Sequence, residues 1–351
     1  MMDAKKWLAA ALVAAALPVS AVESPAPAKA LDRPAMVSAK AARLAMLAAV
    51  RVGKRVVAAG ERGTVVFSDD GGSNWRQAQV PTSVSLTAMQ FVDANLGWAV
   101  GHMGVVLHSA DSGETWAKQL DGIRAARLVL DDAQKRGDAR AIADAERLVA
   151  DGADKPFFDL CFIDDHTGFI VGAYNLIFRT DDGGRKWTPW QAHVGNSNPK
   201  GLHLYGVRAV GGALFIVGEQ GLLLRSEDRG EHFTALTSPY AGSWFGLLAD
   251  QDGVVVFGLR GNAYRSDDLG MSWRQLPTGT PVTISAGLRT ADGRLLLATQ
   301  AGQLLISGDR GASFAPLAGA AGLPLAAVTE APDGLVLASL RGLRTVALPK
   351  P

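Results

Sequence analysis

The chain has 351 residues, 48% of them hydrophobic and 20% charged, which permits a large buried core and excludes a disordered chain. Thirty-five Lys and Arg against thirty-four Asp and Glu leave a formal charge of +1, so no basic excess exists to hold a phosphate backbone, and nucleic acid is set aside as a partner. Forty glycines announce many tight turns, and a single cysteine, Cys161, excludes an internal disulfide.

Lys5 and Lys6, the apolar run Trp7 to Leu17 and the small residues Val19-Ser20-Ala21 read as a secretory signal peptide over residues 1–21. The run is well short of the roughly 20 residues that span a bilayer. No cysteine stands at the cleavage site and no arginine pair precedes it, so the expectation is general export without a lipid there. The expected location is the periplasm, with a lumen or outright secretion as alternatives. Residues 22–30, with Pro25 and Pro27, read as a flexible leader, and residues 31–351 as one domain. A strand is expected at residues 31–38, before the first full unit begins near Arg43.

From there one pattern recurs six times: Ser or Thr, any residue, Asp, any residue, Gly, two residues, Trp or Phe. The copies are Ser68-Asp70-Gly72-Trp75, Ser109-Asp111-Gly113-Trp116, Thr180-Asp182-Gly184-Trp187, Ser226-Asp228-Gly230-Phe233, Ser266-Asp268-Gly270-Trp273 and Ser307-Asp309-Gly311-Phe314. Their Asp residues are 41, 71, 46, 40 and 41 positions apart, a period that fits one four-stranded propeller blade. Short apolar runs ended by Gly, such as Leu214 to Gly218 and Val254 to Gly258, supply the strands.

In this reading the Asp carboxylate closes a hairpin turn by accepting N–H groups two or three residues on, Gly supplies the positive φ, and the aromatic ring is buried. Calcium binding or acid catalysis is the competing reading. Six copies around one rim favour structure, so Asp70, Asp111, Asp182, Asp228, Asp268 and Asp309 are assigned to turn closure, with no metal and no cofactor expected.

The gap of 71 is one period plus an insertion at residues 122–154. Ile123, Ala126, Leu128, Val129 and Leu130, then Ala141, Ile142, Ala145, Leu148 and Val149, recur at helical steps, with Gly137 as the turn and Asp138 as a cap. Two helices are expected between blades two and three, either a tolerated surface insertion or a docking element. Next in the chain, Cys161 lies between Leu160 and Phe162 and reads as a small core residue. After the last motif, Leu325–Val328, Leu335–Ser339 and Leu343–Leu348 give three more strands, which residues 31–38 would complete. The expected fold is all-β, a seven-bladed β-propeller with Asp-box (BNR, sialidase-like) repeats and a helical-hairpin insertion.

The segments around the boxes resemble the photosystem II stability/assembly factor family. The resemblance rests on Val57 to Gly63, Gly97 to His102, Gly168 to Tyr174, His203 to Gly206 and Ser243 to Gly246, and covers about residues 40–348. It implies a seven-bladed scaffold or assembly factor on the outer side of a membrane. In the non-photosynthetic branch of the family, a membrane transporter is the client the resemblance suggests.

A sialidase, or another glycan-binding or glycoside-hydrolysing propeller, is the alternative. It would need an Arg-Ile-Pro element, which is missing, and a Glu partner for one of only four tyrosines. Neither a His–Glu zinc pattern nor a phosphate loop occurs, so no enzyme and no catalytic residue is expected. The loops joining second and third strands lie opposite the box turns, near the pore. They carry Glu61, Arg62, His102, Tyr174, Glu219, Gln220, Arg260, Gln300 and Arg341, and the connections between blades add Tyr205 and Trp244. This face is expected to bind a protein, with the chain a monomer at most peripheral to a membrane. An ordinary solvated rim is the plainer alternative.

Overall fold

The computed structural model describes residues 29–250, 253–319 and 322–350. The signal peptide expected over 1–21 and the leader as far as residue 28 lie outside the described residues.

The short apolar runs form strands in groups. Blade one holds β1 (Met46–Val52), β2 (Arg55–Gly60), β3 (Val65–Ser68) and β4 (Arg76–Gln77). Blade two holds β5 (Leu86–Phe91), β6 (Gly97–Gly101), β7 (Val106–Ser109) and β8 (Ala117–Leu120), followed by helices α1 (Gly122–Arg136) and α2 (Ala139–Asp151). Blade three holds β9 (Phe157–Phe162), β10 (Gly168–Gly172), β11 (Ile177–Thr180) and β12 (Thr188–Pro189). Blade four holds β13 (Leu204–Val210), β14 (Ala213–Gly218), β15 (Leu223–Ser226) and β16 (Thr234–Ala235). Blade five holds β17 (Trp244–Asp250), β18 (Gly253–Gly258), β19 (Ala263–Ser266) and β20 (Arg274–Gln275). Blade six holds β21 (Ile284–Arg289), β22 (Leu295–Thr299), β23 (Leu304–Ser307) and β24 (Ala315–Pro316), and blade seven β25 (Leu325–Ala331), β26 (Gly334–Ser339) and β27 (Gly342–Val346).

Each blade is a sheet whose strands pair in chain order. First strands of successive blades lie against each other, and β1 meets β25, closing a seven-bladed propeller. Second strands are sandwiched between neighbouring blades and buried almost end to end, which is why they read as continuous apolar runs without alternation. Rings fill the seams: Trp98 of blade two is fully buried and stacks at 3.7 Å on Phe162 of blade three.

In all six boxes the Ser or Thr hydroxyl donates to Asp Oδ1 at 2.7–2.9 Å. It also accepts the box glycine N–H at 2.7–2.9 Å. The same Oδ1 accepts the N–H four residues on, at 2.8–2.9 Å. The carboxylate thus reaches one residue beyond the expected two or three, while the N–H three residues on also helps to lower the pKa of Asp70, Asp111, Asp182, Asp268 and Asp309. The hydroxyl already holds the nearer N–H, and the carboxylate spans the rest of the turn. The box glycines take φ between 81° and 97°, as the turn requires.

Asp182→Ala would remove the acceptor of a buried Thr180 hydroxyl and of the Lys186 N–H. The expected loss is about 2 kcal/mol, or roughly 5 °C in Tm. An unchanged melting curve would remove the structural role assigned to the box.

Residues 31–38 do not complete blade seven, which has three strands among the described residues. Leu31 is buried in the apolar cluster that also holds Val80, Val84 and Trp116. Ala35 N–H donates to Val80 O at 3.0 Å and Ser38 N–H to Gln77 Oε1 at 2.9 Å. The segment thus covers the outer edge of blade one, and Pro34 within it lacks a ladder donor.

The hairpin forms as its caps dictate. Asp121 Oδ1 accepts Arg124 N–H at 3.1 Å, Gly137 ends α1 at φ 70°, and Asp138 accepts the N–H groups of Arg140 and Ala141. Ala125, with Leu128, Val129 and Leu148 partly buried, joins the core between blades two and three, so the hairpin is seated on the propeller. Among the described residues, no helix is long and apolar enough to cross a membrane.

Candidate functional site

Chain direction alternates along a blade, so loops joining second to third strands share a face with the connections between blades. Hydrogen bonds lock the two sets together. His102 N–H donates to Ser85 O at 2.9 Å, Glu219 N–H to His203 O at 3.1 Å and Leu259 N–H to Ser243 O at 3.1 Å. The hairpin springs from this same face. A Cβ on Gly104 would come within 2.7 Å of Gly122, so loop and helix start nearly touch.

In five blades the loop apex is a non-glycine residue in the left-handed region: Arg62 (φ 55°), Met103 (53°), Tyr174 (53°), Gln220 (52°) and Arg260 (56°). That conformation is sterically unfavourable for side chains of this size. A bulge recurs in every first strand, leaving its second residue out of the pairing, as between Leu204 and Gly206 or Trp244 and Gly246. The extra residues are Leu47, Thr87, Phe158, Tyr205, Phe245, Ser285 and Ala326.

Blades three to five therefore carry aromatic rings at the loop end of the innermost strands. Phe158 and Tyr205 lie 5.2 Å apart, and Tyr205 and Phe245 5.4 Å. His203 joins the cluster, its ring 4.6 Å from Tyr174, whose own N–H donates to His203 Nδ1 at 2.8 Å. Lys155, at the foot of the hairpin, sits 5.3 Å over the Tyr174 ring. The result is an aromatic crescent over blades three to five, whereas the equivalent positions of the other blades carry Leu47, Thr87, Ser285 and Ala326.

Arg62, His102, Tyr174, Gln220, Arg260, Gln300 and Arg341 are exposed on this face, and Tyr205 is half-buried. Its two acids are engaged. Glu61 Oε1 accepts Ala45 N–H at 3.2 Å and Glu219 Oε2 accepts His203 N–H at 3.1 Å. Trp244 differs from expectation. It is fully buried, packs on Tyr240 and Tyr264, and donates from Nε1 to Ser238 Oγ at 3.2 Å. Its neighbour Phe245 holds the position equivalent to Tyr205, and aligning the repeats on Leu204 and Trp244 would have found it. Phe158, Lys155 and Met103 were also missed. Lys155 had no visible signal, since only the hairpin places it here.

Burial, then the Glu219 carboxylate, push the Tyr205 phenol above its ordinary range. Burial likewise raises the Cys161 thiol. Asp164, Asp165 and His166 present ligand atoms within 4.8 Å of one another, but on the turn between β9 and β10, on the opposite rim. Asp164 is occupied there by the N–H groups of His166 and Thr167.

Comparison with known proteins agrees with this architecture. The profile described as photosynthesis system II assembly factor YCF48 matches residues 48–121 and 140–315. The photosystem II assembly lipoprotein Ycf48 of Synechococcus sp. (strain CC9902) is 28% identical over 142 residues, which are 38% of this chain and 41% of that one. The match thus spans about two fifths of that relative's length. A solved structure of YCF48 bound to D1 peptide superposes with a TM-score of 0.63 at 16% identity, covering 87% of this chain and 94% of that one. YCF48 from Cyanidioschyzon merolae gives 0.64 at 12% identity, covering 87% and 96%. With its boxes, its seven blades and a profile matched over more than half its length, the chain belongs to the photosynthesis system II assembly factor YCF48 family.

Proposed function

We propose that the protein is a non-catalytic, exported scaffold that assists assembly or stability of a membrane protein complex. It engages the complex as a monomer through the loop face. The observation that carries this reading is the aromatic crescent of Phe158, Tyr205 and Phe245 beside the exposed Tyr174, Arg62, Arg260 and Arg341. Exposed aromatic and arginine side chains on one face are the composition of protein-recognition hot spots. Non-catalytic action is supported by Glu61 and Glu219, whose carboxylates bind backbone N–H groups rather than converging as a glycosidase pair. That one relative is bound to a D1 peptide supports recognition of a protein segment. In an organism without photosystems, the client we favour is a membrane transporter.

Crosslinking in native membranes, gentle solubilisation and affinity recovery test this. One membrane complex should be recovered by the parent chain. Its yield should fall at least about tenfold in the Arg260→Glu/Arg341→Glu and Tyr205→Ala variants, with Tm held within a few degrees. Equal recovery by all three would remove this face from consideration. The crescent also suits stacking against a sugar ring, a second reading that a glycan screen with Tyr205→Ala separates from the first. Hydrolysis of any glycoside by the parent would end the non-catalytic reading.

A further inference from the structure

Six blades have a fourth strand outside the third, and blade seven has none among the described residues. The complete blades show what belongs there. After each two-residue outer strand comes an apolar residue whose N–H donates to the third strand. The bonds run from Ala78 to Val65 O, Trp190 to Ile177 O, Leu236 to Leu223 O, Leu276 to Ala263 O and Leu317 to Leu304 O, at 2.7–2.9 Å. Leu276 then packs against the glycine of the next box, Gly311.

Leu343 pairs with Ala338 as Leu223 pairs with Val217, so the Leu343 carbonyl is the equivalent acceptor in blade seven. Among the described residues no N–H reaches it, and beside Gly72 of the next box stand Thr345 of β27 and Val336 in place of an outer-strand side chain. A half-open sheet edge of this kind is a template for strand addition.

We propose that β27 is a docking site for an extended, acidic segment of a partner protein, which adds the outer strand of blade seven. The partner's charge follows from Arg341 and Arg344, exposed at the start and middle of this edge and without an ion pair among the described residues. The segment's pattern, two residues and then an apolar one, follows from the sibling blades. Ala42 and Arg43 pack on Gly342 at the very start of the edge, but the first and last described residues lie away from it. Ala30 is held by Ser83 N–H between blades one and two, beyond blade one from β27. At the other end, Arg294 Nη1 donates to Pro349 O at 2.8 Å and draws the tail toward blade six. The edge runs along the flank of the propeller; Arg341 at its start is shared with the loop face, whereas Arg344 within β27 belongs to the edge alone.

The probe is a capped peptide of Glu231–Ser238, which contains β16, Leu236 and one carboxylate. Hydrogen–deuterium exchange of the full chain follows residues 342–346 and the leader. The peptide should slow exchange at β27 by about tenfold. The same peptide with Leu236→Pro lacks the critical donor and should have no effect. Arg344→Glu should weaken protection several-fold, whereas Tyr205→Ala should not change it. No protection at millimolar peptide would overturn the proposal. So would outward amides of β27 already protected in the peptide-free chain, and simultaneous protection of residues 22–28 would identify the leader as the occupant.

Discussion

Asp250→Ala should destabilise the propeller by about 3–5 kcal/mol, the largest effect expected of any single change discussed. The side chain of Asp250 is 8% exposed and forms a short ion pair with Arg265, itself 1% exposed. Arg289 Nε lies 2.6 Å from its other oxygen. Arg265 also meets Asp267 at 2.7 Å, but Asp267 is largely in solvent, and Arg265 Nη2 has no hydrogen-bond partner among the described residues. Removing Asp250 leaves a guanidinium buried between blades with half its compensation gone. Denaturant unfolding measures the loss. The double variant Asp250→Ala/Arg265→Met should regain most of it, because an apolar pair needs no charge balance. A single variant within about 1 kcal/mol of the parent would show that the pair is dispensable.

A steep acid transition is the second expectation. Hydrogen bonds from the Asn74 N–H and side chain hold Asp70 at about 2, and those from Ser272 hold Asp268 at about 2. The bonds from His232 and Ser313 depress Asp228 and Asp309 further. Burial works against the shift at Asp111 and Asp182, yet bonds from Thr115 and from the Lys186 N–H outweigh it. Each folded-state pKa lies below its unfolded value. The stability contributed is therefore fully present above about pH 4 and is lost as pH falls through the folded values near 2 and below. Up to six protons are taken up on unfolding, so Tm should fall most sharply between about pH 4 and 2. The Asp228→Asn/Asp309→Asn variant should show a shallower fall over that window. An identical acid profile would place the dependence elsewhere.

The boxes were legible because turn chemistry is local. Ser, Asp and Gly at fixed offsets close one hairpin wherever it stands in the ring. The hairpin was legible for the same reason, through Gly137 and Asp138. Residues 31–38 were not. Their position depends on Leu31 joining an apolar cluster that includes residues 80, 84 and 116, which no local pattern announces. The channel mouth was half legible. Tyr205 does lie on the loop face, whereas Trp244 is buried, because a bulge adds one residue to each first strand and turns the neighbouring side chain inward. Alternation in a sequence carries no mark of where that extra residue falls.

The left-handed apices have a consequence for anyone altering this protein. At Arg62, Gln220 and Arg260, glycine would relieve an unfavourable backbone by roughly 1 kcal/mol while deleting the side chain that the loop presents. A variant library screened for heat resistance alone would drift toward glycine at these three places and, if the loop face binds the proposed client, lose it. A library screened for client capture would resist that drift. The divergence between the two screens, residue by residue around the ring, would map the recognition surface without any structure of the complex.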